Sequence, residues 1–364
     1  MKYLNTICTV TAVATFTFLA ALPANAENIK VKNVKVTPLG SHKGEFCRND
    51  RALIFEDPNG TRILYDPGRT VITADDSRLG KIDVVLVTHM HGDHVGDWHY
   101  PKLNFGKCGD WVKPKDRVKV LPNTNAVNIA LAKDALILTS AEMSKFFKKK
   151  LVALGRDENK DYSQYSKPVN FGASYIKIDN PKPFEKISHK VGDVVITTVP
   201  ATHPNGVEGD MIGGVLGYML KEAGLTAYVG PATGYVLTFS NDLVVYLSGD
   251  TGITAEQDTV VRQHYGAKLV VMNIGDTFTT GPKEAAWVIN ELIKPVSVIV
   301  SHANEGATTN GKVDPGTKTD TFMKAIKKNN VEKKMNVKVY VPLSVPENGK
   351  SMEFNSAGNC VAGC

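Results

Sequence analysis

Thr88-His89-Met90-His91-Gly92-Asp93-His94 follows directly on the mostly apolar run Ile82 to Val87. The pattern predicts a strand that gives way to a loop there, and the loop is dense in metal-ligating side chains. Zinc and similar ions accept imidazole nitrogen and carboxylate oxygen. His89 and His91 are two apart, a spacing that a bent loop can close around one ion. Asp93 and His94 are adjacent, so they can point to a different ion. The segment reads as one half of a two-metal site. It constrains the fold, because the missing ligands must be brought to this loop from distant parts of the chain.

Three residues fit that requirement. His203 follows the β-branched run Val191 to Val199, Asp250 follows Leu243 to Ser248, and His302 follows Val296 to Ser301. Each is flanked by loop formers: Pro204-Asn205-Gly206, Thr251-Gly252 and Asn304-Glu305-Gly306. His89, Asp250, Asn273 and His302 all fall at C-terminal ends of predicted strands, where loops commonly carry chemistry. A closed structural zinc site usually takes four ligands from few segments, whereas this chain offers seven from four. His42, His189 and His264 read as ordinary surface or hydrogen-bonded residues. His99 is close enough to the cluster to line a cleft. Asp66, Thr88 and Asn273 are placed to fix the ligands, although Asp66 and Asn273 read equally well as satisfied strand-end caps, and Asn304 and Tyr228 are candidate donors to a developing oxyanion.

The rest of the pattern predicts strands over Val31 to Pro38, Arg51 to Glu56, Arg62 to Tyr65 and Lys81 to Thr88, with a tight turn at Asp57-Pro58-Asn59-Gly60. Residues 97 to 180 break the rhythm and read as a lid or accessory lobe. It holds a strand at Arg117 to Val120, helices over Asn125 to Ala135 and Ser140 to Leu154, and a polar loop from Asp157 to Ser166. Further strands are expected at Gly213 to Leu220, within Ala227 to Phe239, at Lys268 to Met272 and at Val337 to Val341. Helices are expected from Pro282 to Leu292 and over Thr319 to Lys328, followed by a polar tail.

Residues 1–26 read as a secretory signal, with Lys2, an apolar and Thr-rich run, and the small-x-small site Ala24-Asn25-Ala26. A membrane span is the competing reading, against which stand Asn5, several Thr and Pro23. No later stretch is long and apolar enough to span a bilayer. The mature protein, residues 27–364, is thus expected in the periplasm or outside the cell. A formal charge of +6, one unit of it from Lys2, is too small and too spread out to argue for nucleic acid. The partner expected is a small-molecule substrate, and the oligomeric state stays open. Export permits disulfides among Cys47, Cys108, Cys360 and Cys364. Cys360 and Cys364 can close a small loop in the tail at 355–364, leaving Cys47 with Cys108. The other two pairings, or metal binding by Cys360 and Cys364, stay open.

The His-x-His-x-Asp-His loop, with His203, Asp250 and His302 after it in that order, resembles the signature of the metallo-β-lactamase-fold superfamily. The resemblance runs from about Val31 to Val341, apart from 97–180. It implies an α+β fold, a four-layer αββα sandwich with its site at one edge of two central sheets. It also implies that His89, His91 and His203 hold one ion, that Asp93, His94 and His302 hold a second, and that Asp250 bridges them. Two divalent ions, zinc by preference and manganese or iron as alternatives, would lower the proton affinity of a shared hydroxide and make it a nucleophile. Asp93 would orient it. The expected activity is hydrolysis of an ester, lactone or phosphodiester. The alternatives are β-lactamase activity, or metal binding without catalysis. Asp250 argues against the β-lactamases, which generally have Cys there or lack a bridging carboxylate. Tyr246 to Gly252, Gly275-Asp276, Gly281 to Ala286 and Asp66-Pro67-Gly68 are similar to segments of the ascorbate-phosphate lactonase-like group.

Overall fold

The computed structural model describes residues 33–111, 124–169, 175–178, 194–345 and 349–364. The expected signal segment, the strand at Arg117 to Val120 and His189 lie outside these residues.

In chain order the strands of the first half are β1 (Val34–Pro38), β2 (Leu53–Glu56), β3 (Arg62–Tyr65), β4 (Val84–Leu86), β5 (Leu136–Thr139) and β6 (Ser166–Pro168). Between β4 and β6 come the single turn α1 (Gly92–Val95) and the longer helices α2 (Asn125–Lys133) and α3 (Ala141–Leu154). The second half supplies β7 (Tyr175–Ile178), β8 (Val194–Pro200), β9 (Gly206–Val207), β10 (Ala227–Tyr228), β11 (Thr233–Thr238), β12 (Val244–Leu247), β13 (Leu269–Asn273) and β14 (Ser297–Ser301). The pairs β15 (Thr308–Thr309) with β16 (Lys312–Val313) and β9 with β10 form small ribbons. β17 (Lys338–Tyr340), β18 (Met352–Phe354) and β19 (Cys360–Ala362) close the chain. The α-helices of this half are α4 (Gly209–Ile212), α5 (Gly214–Glu222), α6 (Pro282–Trp287) and α7 (Lys318–Glu332), and wider π-helical turns run over Gln257–His264 and, continuing α6, over Val288–Ile293.

Two sheets carry the fold. One runs β19-β18-β1-β2-β3-β4-β5-β6, the other β17-β14-β13-β12-β11-β8-β7. Their central strands are apolar on both faces, and successive side chains point opposite ways. Leu53, Phe55, Ile63, Val84 and Leu86 meet Ile196, Leu237, Val245, Leu247 and Val271 in the core between the sheets. Ile54, Leu64, Val85 and Ile137 point outward into a second cluster with Val127, Ala130, Phe147 and Leu151 of α2 and α3. Tyr246, Val270, Met272 and Val300 do the same on the other sheet, against Ala285, Ile289, Phe322 and Ile326. The result is the expected αββα order of layers.

Three details differ from the sequence reading. Gly213 to Leu220 is helix, not strand. α5 lies so close to α4 that a Cβ on Gly217 would stand 2.3 Å from the Gly209 carbonyl oxygen. Much of 97 to 180 is not a lobe apart, since β5 and β6 extend the first sheet in parallel with β4. The polar tail forms β18 and β19 along β1. Disulfides join Cys47 to Cys108 and Cys360 to Cys364. Among the described residues no helix is long and apolar enough to cross a membrane.

Strand direction positions the site. β3, β4 and β5 are parallel, as are β12, β13 and β14. β8 shares the direction of β12, because both are antiparallel to β11. The residues that follow β3, β4, β8, β12 and β14 therefore emerge at one edge. Backbone and side-chain bonds join the two sheets there: Thr233 N–H donates to the Thr88 carbonyl at 3.0 Å, and Gly249 N–H to the Tyr65 hydroxyl at 3.0 Å.

Candidate metal centre

The loop after β4 turns at once into α1, whose single turn leaves His89 and His91 before it and presents Asp93 and His94 from it. The loop is anchored at Gly96, in left-handed backbone at φ 76, where a Cβ would stand 2.5 Å from the Gly68 carbonyl oxygen. The His203 loop is tied to it by Asn205, which accepts from Met90 N–H at 2.9 Å and donates to the Gly230 carbonyl at 2.9 Å. Thr202 N–H donates to the Thr251 hydroxyl at 3.0 Å, which sets the His203 loop against that of Asp250. Asn273 donates to the Gly249 carbonyl at 2.8 Å and so holds the Asp250 turn from the end of β13.

All seven residues singled out from the sequence come together. Three overlapping groups form, His89 with His91 and His203, His89 with His94 and Asp250, and Asp93 with His94 and His302, each with its ligand atoms within 4.8 Å of one another. Asp250 lies at the centre. Its Oδ2 is 3.1 Å from His302 Nε2, 3.7 Å from His203 Nε2 and 3.9 Å from His89 Nε2, and its Oδ1 is 3.4 Å from His94 Nε2. His203 Nε2 stands 3.1 Å from His91 Nδ1. Asp93 Oδ2 is 3.4 Å from His302 Nε2 and 3.8 Å from His94 Nε2.

Behind the ring, Asp66 and Thr88 fix which nitrogen each histidine offers. Thr88 donates its hydroxyl proton to Asp66 Oδ2 at 2.8 Å and its N–H to Oδ1 at 2.9 Å. The hydroxyl oxygen is then left to accept from His89 Nδ1 at 3.0 Å. His94 Nδ1 lies 2.8 Å from Asp66 Oδ2 and donates to it. Both rings are thereby set with Nε2 toward the centre, the arrangement by which carboxylates orient metal-binding imidazoles.

Burial and like neighbours keep most of the imidazoles neutral. Burial, then His94, holds His89 well below the ordinary imidazole range, and burial lowers His91 likewise. Burial, partly offset by Asp250, brings His203 down to about 4. His94 goes the other way: burial opposes its charge, but Asp250, Asp66 and Asp93 push it up to about 10. Burial works against ionisation of Asp250, yet His302 and His94 hold it well below the usual carboxylate range. The same opposition holds for Asp93, where Arg51 and His94 prevail over burial.

This donor set fits divalent ions. His89 Nε2, His94 Nε2, both His302 ring nitrogens and Asp250 Oδ1 are buried without a hydrogen-bond partner among the described residues. Such atoms are costly when unmet, and the three Nε2 atoms and Asp250 Oδ1 cluster here, while His302 Nδ1 faces Gly275. Neutral imidazoles and ionised carboxylates are the states that bind metal, and mixed nitrogen and oxygen ligands suit zinc.

Other residues fall differently. Asn304 is engaged by Arg51, whose Nη2 donates to its Oδ1 at 2.9 Å. Tyr228 is 73% exposed on β10. His99 Nδ1 lies 2.9 Å from the Tyr100 carbonyl oxygen. Sequence reasoning missed Arg51, buried at the foot of β2, whose Nη2 lies 2.7 Å from Asp93 Oδ2. It missed Asn205 as well. Only their contacts across the chain give them meaning.

A UPF0173 metal-dependent hydrolase of Koribacter versatilis is 27% identical to this chain over 259 residues, covering 70% of this chain and 82% of that protein. One of Thermodesulfovibrio yellowstonii is 24% identical over 265 residues, covering 71% and 78%. The solved structure of a metallo hydrolase from the archaeon Ignicoccus hospitalis superposes with a TM-score of 0.52 at 20% identity, covering 89% of this chain and 99% of that one. Residues 49–302 match the β-lactamase superfamily domain. With that match over most of its length and the αββα layers around its edge-on site, the chain belongs to the β-lactamase superfamily and has the metallo-β-lactamase fold.

Proposed function

We propose that the protein is a metal-dependent hydrolase with two divalent ions, zinc by preference, acting on carboxylic esters or lactones. The observation that carries this reading is the convergence of buried, unpartnered Nε2 atoms and Asp250 from separate loops. The names of the relatives, metal-dependent hydrolases, support its metal dependence and its class of reaction. His89, His91 and His203 would hold one ion, Asp93, His94 and His302 the other, and Asp250 both. Bound there, divalent ions lower the proton affinity of water and polarise a substrate oxygen.

The chain's own residues do the rest. Asp93 is the more accessible of the two acids, its side chain 22% exposed against 4% for Asp250. Its Oδ2 is engaged by Arg51, so Oδ1 is the atom that orients the attacking water and takes its proton. Beside the Asp250 turn, an open cleft of about 550 Å³ runs between Ile253 and the Thr279–Glu284 loop. Exposed Ile253 lines that cleft, and exposed Leu216, Met219 and Tyr228 stand on the excursion whose feet Asn205 ties to the metal loop. Exposed apolar side chains on that excursion and at Ile253 are what favours an acyl group over a second phosphate ester arm. The chain also has a signal-like first segment and two disulfides, which support export to the periplasm or beyond.

The test is a panel of nitrophenyl esters, lactones, bis-nitrophenyl phosphate and a chromogenic β-lactam, given to protein reconstituted with zinc, manganese or iron. Turnover of esters or lactones that disappears on chelation and returns with metal is expected. Metal bound with no turnover across the panel would overturn the reading.

A further inference from the structure

Arg48 is a cation beside the centre that the site chemistry above leaves without a task. Its guanidinium stands 5.0 Å from the centre of the Trp111 ring. Among the described residues its Nε is buried with no hydrogen-bond partner, and no acid pairs with it. Its neighbours are committed. Arg51 is held by Asp93 at 2.7 Å, and Arg69 by Asp97 through two bonds of 2.7 and 3.0 Å. A buried guanidinium nitrogen without an acceptor is costly, so Arg48 is left with a charge that calls for an anion.

Three ties place Arg48 and Trp111 on the Asp93 side of the centre. The Arg48 carbonyl accepts from Arg51 Nη1 at 3.3 Å, and Arg51 is the residue that holds Asp93 Oδ2. The Arg69 guanidinium stands 4.7 Å from the centre of the Trp98 ring and 5.8 Å from that of Trp111. Its partner Asp97 lies so close to Gly92 of the metal loop that a Cβ there would stand 2.3 Å from the Asp97 Cγ. The segment that leads to Trp111 is pinned by the Cys47–Cys108 bridge, and its Gly109 packs against Gly306 in the loop after His302. Trp111 is nevertheless 56% exposed. A large aromatic face is thus held at the rim of the site, with an unanswered cation over it.

We infer that Arg48 and Trp111 form a subsite for an acidic arm of the substrate, in which the guanidinium takes a carboxylate through its fork of donors and the indole covers the flat group that bears it. With Arg51 and Arg69 already paired, one free positive charge suits a monoanion. Ile253 lines the cleft by the Asp250 turn, whereas this pair lies by Asp93, so the acyl part and the carboxylate take different flanks and the carboxylate belongs to the alcohol part. The inference rests on the ester-hydrolase reading proposed above and narrows its substrates to acidic esters and lactones.

The experiment uses zinc-reconstituted protein, as wild type, Arg48→Met, Arg48→Lys and Trp111→Leu, each checked for folding by circular dichroism. The substrates are the butyrate esters of 4-hydroxybenzoate and of its neutral amide. Wild type is expected to prefer the acid to the amide by about tenfold or more in kcat/KM. Arg48→Met should bring that ratio to about one through KM rather than kcat. Arg48→Lys should keep part of it, because a point charge replaces the fork, and Trp111→Leu should raise KM for both esters alike. Binding is read apart from turnover by calorimetry with benzoate and benzamide, where wild type should hold benzoate about tenfold tighter and Arg48→Met should lose the difference. Equal handling of acid and amide by wild type would overturn the inference. So would a wild-type preference in folded Arg48→Met. Absence of all ester turnover with the benzoate preference intact would overturn the hydrolase reading and leave the subsite standing, which keeps the two failures distinct.

Discussion

Asp66 touches no position of the first motif in sequence, yet it orients two of its side chains through one carboxylate. Asn accepts left-handed backbone as readily as Asp, so Asp66→Asn, at φ 39, should fold. It should nevertheless lower zinc affinity by about 10–100-fold, because His94 Nδ1 and Thr88 lose the anion that fixes them. Unchanged affinity in competition with a chromogenic chelator would remove Asp66 from the account. His94 yields a second prediction. Its imidazole, pushed up to about 10 against burial chiefly by Asp250 and Asp66, is charged at neutral pH without metal. An ion on Nε2 must expel that proton while Nδ1–H stays on Asp66. Below pH 10, affinity should therefore rise with pH and uptake should release about one proton from His94. Calorimetry in two buffers of different ionisation enthalpy measures that number, and zero release would contradict the assignment. The seven residues that cluster were legible from sequence because metal chemistry needs few residue types at close spacing. Arg51 was not, because a lone arginine before a strand has no meaning until its partners at Asp93 and Asn304 are known.

Among elements, the strands that deliver the site were the easiest to read. Their runs, such as Leu269–Asn273 and Ser297–Ser301, are buried along their length and end in loop formers. Short apolar stretches without a partner pattern were harder, since a brief run fits helix and strand alike. Gly213 to Leu220 is a short apolar run that closes as α5, with its glycine at 217 making room for α4. Leu136–Thr139 was hidden between two helical patterns and proves to be an internal strand. The loop after β13 is equally dependent on a small residue. A Cβ on Gly275 would lie 2.4 Å from the His302 carbonyl oxygen and 2.8 Å from its Nδ1. Gly275→Ala should therefore push His302 outward, cost about 1–3 kcal/mol of stability and weaken the Asp93–His94–His302 position more than the other. Denaturant unfolding together with metal titration checks this, and wild-type values in both would refute the packing argument.

At the scale of the molecule, two stacked sheets meet at an edge where strand direction brings the His- and Asp-bearing loops together. That much was readable through the order of ligands along the chain. The outer strands were not, because β18 and β19 come from a polar tail whose pairing with β1 joins opposite ends of the sequence. The Cys47–Cys108 bridge spans 61 residues and encloses the whole first motif. It also holds the loop whose Gly109 packs against Gly306. Closing a loop of that size in the unfolded chain is worth up to about 4 kcal/mol. The double variant Cys47→Ser, Cys108→Ser should lose about 2–4 kcal/mol in urea unfolding, and reductant should do the same to wild type. Equal stability with and without the bridge would show that the covalent tie contributes nothing.

The paired-ion centre itself is tested most directly by a crystal grown or soaked with excess zinc and measured at the zinc absorption edge. Two anomalous peaks are predicted, one among His89, His91 and His203, the other among Asp93, His94 and His302, with Asp250 touching both. Peaks elsewhere, or none at this edge of the sheets, would contradict the account.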